Sequence, residues 1–201
     1  MSSLFDSLVA ETLELGATRA KVIEVAKIKF SVQLRKMCAQ NTCGKYGSNW
    51  MCPPAVGPVE ELKARAQEYR YGLLFQIVCQ LEDSYDVEGM AAGKKRHDIL
   101  LSKVLARLRE EPGIRKPLPL GAGSCDICPK CTYLESVGTS ADIPEKAARG
   151  FQACRYPDKA VSSVEAYGID VLHLVSTNDI PYNNGAATVS YVGLILFNEA
   201  N

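Results

Sequence analysis

Three cysteines fall within seven residues, Cys125-Asp126-Ile127-Cys128-Pro129-Lys130-Cys131, and this spacing constrains the chain more than any other feature. Two residues between successive thiolates let a short backbone arc wrap a compact metal cluster. A single tetrahedral zinc ion usually takes its thiolates as separated pairs, because three this close crowd one small ion. A cubic iron–sulfur cluster offers each thiolate its own iron. Cys154 follows Cys131 after 22 intervening residues and supplies a fourth thiolate. The expectation is therefore a [4Fe–4S] site on Cys125, Cys128, Cys131 and Cys154, with a structural zinc knot as the alternative.

Four further cysteines complete a total of eight. Cys38, Cys43 and Cys52 are close in sequence, and Cys52 runs into Pro53-Pro54. Cys79 lies in the apolar run Leu73–Cys79, where a free cysteine behaves as a small hydrophobe. If Cys79 is core, the first loop offers three thiolates, and three protein ligands leave an open coordination position for chemistry. The alternatives are a zinc ion with a non-cysteine fourth ligand and a cluster closed by another residue. The opening segment MSSLFDSLVAETLELGA is amphipathic and acidic, without the basic and apolar regions of a secretory signal. A cytoplasmic location is expected, where clustered cysteines serve as ligands or catalytic groups rather than disulfides.

The 201 residues are 47% hydrophobic, enough for one core, so a single domain is expected. Lys+Arg and Asp+Glu balance at 23 each. That balance lacks the basic signature of a general nucleic-acid or anionic-membrane binder. No run approaches 18 uninterrupted apolar residues, so no membrane span is expected. Neither a phosphate-binding G-x-x-x-x-G-K-[ST] nor a dinucleotide fingerprint occurs.

Periodicity predicts a helix over 3–15, with Leu4, Leu8, Val9 and Leu13 on one face and Gly16 at its stop. Residues 20–35 read as extended, and the strict alternation from Lys27 to Arg35 predicts a half-buried strand leading into Cys38. The segment 38–58 is a loop by its glycines and prolines. A helix is expected at 58–70, a central strand at 71–81 and a long helix at 87–110. A short extended piece, 117–120, precedes the second cysteine loop at 121–157. Beyond it are expected a helix near 158–168 and two strands, 171–176 and 188–197, joined around Pro181-Tyr182-Asn183-Asn184-Gly185. The fold class is α+β or α/β, a mixed and partly antiparallel sheet with helices, for which a ferredoxin-like sheet is one candidate.

Other residues stand near the cysteines. Lys45, Tyr46, Asn49 and Trp50 interleave with the first set and are candidates to shield a metal centre and tune its potential, or to pack the loop. Arg155, beside Cys154, is a candidate to offset cluster charge or grip an anionic substrate, or a surface ion pair. Gly121-Ala122-Gly123 would let backbone amides approach cluster sulfides, or is an ordinary strand exit. His97, on a polar stretch of its helix, and His173, on a strand, read as ordinary histidines rather than ligands.

Several of these segments together resemble a known family. They are Cys43-Gly44-Lys45-Tyr46-Gly47-Ser48-Asn49-Trp50-Met51-Cys52-Pro53-Pro54, Phe75-Gln76, Leu81-Glu82-Asp83-Ser84, Cys125-x2-Cys128-x2-Cys131, Cys154-Arg155-Tyr156-Pro157 and Glu165-Ala166-Tyr167-Gly168-Ile169-Asp170-Val171. The chain from about Val22 to Phe197 is similar to a family of predicted metal-binding proteins of unknown function from anaerobic bacteria and archaea (domain of unknown function 2284). The resemblance implies metal binding and names no reaction. Three functions are compatible with the residues. One is a redox protein with two [4Fe–4S] clusters and a redox partner protein. Another is an enzyme whose three-thiolate cluster reduces or desulfurises a small-molecule substrate. The third is a binding module whose zinc ions staple its loops.

Overall fold

The computed structural model describes residues 3–137, 153–182 and 184–200. In chain order the elements are α1 (Ser3–Glu14), β1 (Arg19–Glu24), α2 (Val32–Ala39), α3 (Val59–Gln67), β2 (Tyr71–Gln80) and α4 (Val87–Glu110). They continue with β3 (Ile114–Gly121), α5 (Thr132–Val137), β4 (Ser162–Ser163), α6 (Val171–Ser176) and β5 (Thr188–Glu199). Short 3-10 turns occupy Val25–Lys27 and Glu165–Tyr167. The five strands form one sheet in the order β1-β2-β5-β3-β4. Every neighbouring pair is antiparallel except β3 with β4. This is the mixed α+β architecture expected, but strands and helices alternate along the chain, unlike the β-α-β-β-α-β run of a ferredoxin-like unit.

The sheet is covered on both faces, which is why β2 and β5 read as nearly continuous apolar runs. Leu73, Phe75, Ile77 and Cys79 of β2, with Ile195 and Phe197 of β5, meet Phe5 and Leu8 of α1 and the Leu100–Leu108 stripe of α4. The alternate residues Leu74, Leu194 and Leu196 face Leu62 and Ala66 of α3 and Val171, Leu174 and Val175 of α6. Helix α4 starts where the sequence places it because the Asp86 carboxylate accepts from the Gly89 amide at 2.7 Å.

Three local expectations are corrected. Residues 27–35 do not form a strand. Phe30 makes an isolated bridge to Ile169, and from Val32 the chain is helical. The alternation is real, but β1 already occupies the free edge of β2, and Gln33-Leu34-Arg35-Lys36-Met37 are good helix formers. Residues 171–176 form α6 rather than a strand, because Asp170 caps the His173 amide at 3.0 Å and the buried Val171, Leu174 and Val175 follow helical spacing. His173 is accordingly on a helix. The helix expected near 158–168 is reduced to the final 3-10 turn before Gly168, while Ser162–Ser163 pair with Leu120–Gly121. In the connection around 181–185, Asn183 lies outside the described residues.

Gly193 sits opposite Phe75 in the β2–β5 register, and a Cβ there would fall onto the Phe75 ring. Gly193→Ala is expected to destabilise the fold by roughly 1–3 kcal/mol, the usual cost of overpacking, as read by chemical denaturation.

Candidate metal centre

A third apolar cluster lies apart from the two sheet cores. It consists of Trp50, Met51, Ala55 and Tyr133, with Cys125, Cys131, Cys154 and Ala160 packed against it. The first cysteine loop is thus built into the wall of the second. Trp50 meets Tyr133 edge to face, with ring centroids 4.9 Å apart, and its indole N–H donates to Thr132 Oγ1 at 2.9 Å. The Thr132 hydroxyl donates in turn to the Ala153 carbonyl at 2.7 Å, beside Cys154. Ser162 of β4 donates to the Met51 sulfur at 3.5 Å and ties the assembly to the sheet.

Cys125, Cys128, Cys131 and Cys154 line one small cavity, closed on the other side by Asn49, Trp50 and Met51. No imidazole or carboxylate lines it. An all-thiol donor set fits a soft, sulfur-liganded metal centre and does not fit a hard cation such as calcium or magnesium. Among the described residues, no three His, Cys, Asp or Glu side chains are placed to hold a single metal ion. Burial pushes the Cys125 thiol pKa up, a hydrogen bond from the Ile127 backbone opposes this, and Cys131, Cys154 and Asp126 push it further up. The Tyr133 hydroxyl is fully buried in this cluster without a hydrogen-bond partner among the described residues. A buried donor left unpaired is costly, so it points to an acceptor that a metal centre would bring.

The first set is adjacent. Cys38 stands near the end of α2, half-buried, while Cys43 is exposed and Cys52 half-buried. Burial pushes the Cys52 thiol up, the Asn49 side chain hydrogen-bonds it and lowers it, and the nearby Cys43, Cys38 and Cys125 raise it further. Cys52 therefore stands between the two sets. Burial also raises Cys38, against the opposing charge of Arg35. Arg35 donates to the Ala166 carbonyl at 3.0 Å and to the Gly57 carbonyl, which anchors α2 to the far end of the loop.

Asn49 is 4% exposed and accepts from the Met51 amide at 3.0 Å, so it orders the turn as well as touching Cys52. Trp50 anchors the two loops to each other. Tyr46 is exposed but close enough to Tyr133 to raise its pKa, a smaller effect than burial. Lys45 is exposed, and its carbonyl accepts from Ser48 at 2.7 Å. Arg155 is a clamp of the second loop: it donates to the Lys130 carbonyl at 3.1 Å and pairs with Glu135 at 3.3 Å. Gly121, Ala122 and Gly123 line a different cavity, against α4.

Cys79 is 5% exposed in the core on the α4 side, where the Arg96 guanidinium donates to it at 3.7 Å, so it is the core cysteine rather than a fourth ligand. His97 is fully buried rather than on a polar face: it stacks on Phe75 and contacts Asp98 at 3.3 Å. Tyr133 was missed in the sequence. Its one signal was an aromatic residue two places after Cys131.

Fold and site together define a mixed α+β protein in which two cysteine-bearing loops pack beside one edge of the sheet. The chain belongs to the predicted metal-binding protein family DUF2284, whose sequence profile matches residues 21–197. No curated protein and no solved structure matches it. Among the described residues, no helix is long and apolar enough to cross a membrane.

Thr132→Val removes both the Trp50 and the Ala153 hydrogen bonds while keeping the shape. A loss of about 1–2 kcal/mol is expected, together with faster proteolysis near residue 153. Unchanged cleavage would show that the two loops are held independently.

Proposed function

We propose that this protein carries two [4Fe–4S] clusters and acts in cytoplasmic redox chemistry, passing electrons to or from a partner. The observation that carries this reading is the single all-thiol cavity of Cys125, Cys128, Cys131 and Cys154, against which the first cysteine loop is packed. Four thiols around one cavity, three of them at two-residue intervals along the chain, favour a cluster that gives each thiolate its own iron over a lone tetrahedral zinc. When bound, such a cluster supplies one-electron redox capacity. The chain's own contribution is to exclude water with Trp50, Met51 and Tyr133 and to aim the Tyr133 hydroxyl and the Ile127 amide as donors. Donors to cluster or ligand sulfur tune the potential.

Cys38, Cys43 and Cys52 would hold the second cluster, and the proximity of Cys52 to Cys125 supports electron exchange between the two. The burial of Cys79 elsewhere favours one further reading of this set. With three thiols and the exposed Cys43, an iron would remain open to a small substrate, as a reductase or desulfidase requires.

Anaerobic purification followed by iron, zinc and sulfide analysis tests the proposal. About eight irons and eight sulfides per chain are expected, the content of two cubane clusters, and Cys128→Ala should remove about half. Stoichiometric zinc without labile sulfide, even after reconstitution, would instead leave a zinc-stapled binding module. A ligand-sensitive EPR signal from the reduced protein would identify the open iron. Tyr133→Phe is expected to keep the iron content and move one midpoint potential to a more negative value, because a donor to the cluster is lost. An unmoved potential would place the hydroxyl outside the centre's influence.

A further inference from the structure

A groove of about 640 Å³ opens between α3, β3 and the segment 157–162, on the opposite side of Trp50 and Met51 from the four-thiol cavity. Its size suits a small organic ligand. Arg65, Arg109 and Lys116 line it, against one acid, Asp158. Among the described residues none of these three cations has a salt bridge or a side-chain hydrogen bond. The cavity against α4 shares Arg109 and Asp158 with this groove, but its Lys94 is paired with Asp98 at 2.5 Å and Asp126 adds a further acid.

The backbone is bent to build this groove. Lys116 has φ of 46°, in the left-handed region that side chains other than glycine rarely enter. It lies where β3 slips register against β5, between Arg115 and Leu118, a bulge that re-aims a strand's side chains. The Tyr69 hydroxyl donates to the Lys116 carbonyl at 3.0 Å and holds that conformation. Such outliers cluster at functional sites. Tyr167 also lines the groove. It is 3% exposed.

We infer that this groove is a binding site for a small organic anion, whose carboxylate or phosphate meets Arg65, Arg109 and Lys116 and whose flat apolar body lies along Met51, Leu118 and Val161. The Tyr167 hydroxyl supplies a further donor. Trp50, Met51 and Ala160 line both this groove and the four-thiol cavity. The occupant is therefore placed to be a substrate or effector of that centre, but binding itself does not depend on which metal the thiols hold.

Calorimetry on the full-length protein as purified, with its metal content measured alongside, tests the site. The probes are benzoate, phenyl phosphate, inorganic phosphate and the neutral benzyl alcohol. Benzoate or phenyl phosphate should bind at least tenfold more tightly than benzyl alcohol and should weaken with added salt. Arg65→Gln and Lys116→Gln should each weaken binding fivefold or more without lowering the melting temperature. Arg109→Gln, on an exposed helix position, provides a third variant should either of those fail to fold. Lys94→Gln, in the neighbouring cavity, should leave affinity unchanged. The inference is overturned if neither organic anion binds at millimolar concentration, if benzyl alcohol binds equally well, or if the groove variants change nothing. Inorganic phosphate binding as tightly as phenyl phosphate would overturn the organic part of the assignment. The iron and sulfide content decides the cluster reading separately.

Discussion

The antiparallel ladder between β2 and β5 is the interaction on which the other elements depend. It runs from Tyr71 opposite Phe197 to Gln80 opposite Thr188 at the middle of the sheet. Each strand sends alternate residues into two separate cores, so a slip of one position would exchange the cores and bury neither correctly. Gly193 fixes the choice. Only in the observed register does the Phe75 ring find a position without a side chain beneath it. Helices α1 and α4 then close one face, α3 and α6 the other, and β3 extends the sheet toward the cysteine loops.

The described parts of those loops contain little regular structure, and ordering such a segment costs on the order of 1–2 kcal/mol per residue in backbone entropy. What offsets that cost is a small core of their own. Trp50 is its centre, because one side chain supplies an edge-to-face contact to Tyr133, a hydrogen bond to Thr132 and the wall of the thiol cavity. Neither loop could bury this surface alone. A bound metal would add its own free energy to the same contacts, which is how small cysteine-rich segments become ordered.

Legibility in the sequence followed the strength of local signals. Helix α4 was readable because its Leu101, Val104, Leu105 and Leu108 stripe and its Glu111-Pro112 stop agree. Where local signals conflicted, tertiary context decided. The alternation at Lys27–Arg35 resembled a strand, but β1 already occupies the edge of β2 and the chain is helical from Val32. Val171–Ser176 is rich in strand-forming residues, yet Asp170 and the spacing of its buried residues made it a helix. His97 was concealed by its neighbours: Lys94, Lys95, Arg96 and Asp98 make the segment look polar, while Gly93 and Leu101, four residues to either side, place His97 on the buried stripe.

By itself the sequence determined the chemistry on offer: eight thiols, their spacing, the mixed secondary structure and the regular elements with strong periodicity. Those are local properties, fixed by residue type and by the 2.0 and 3.6 periods of the backbone. Only the tertiary structure decided that Cys79 belongs to the core, that Cys52 stands beside Cys125, and that Tyr133 is buried in the cluster against which the thiols pack. It also decided that Arg65 shares one groove with Arg109 and Lys116, more distant along the chain. Each of these is a contact between segments distant in sequence, set by the packing of loops against a sheet, and no local pattern encodes it.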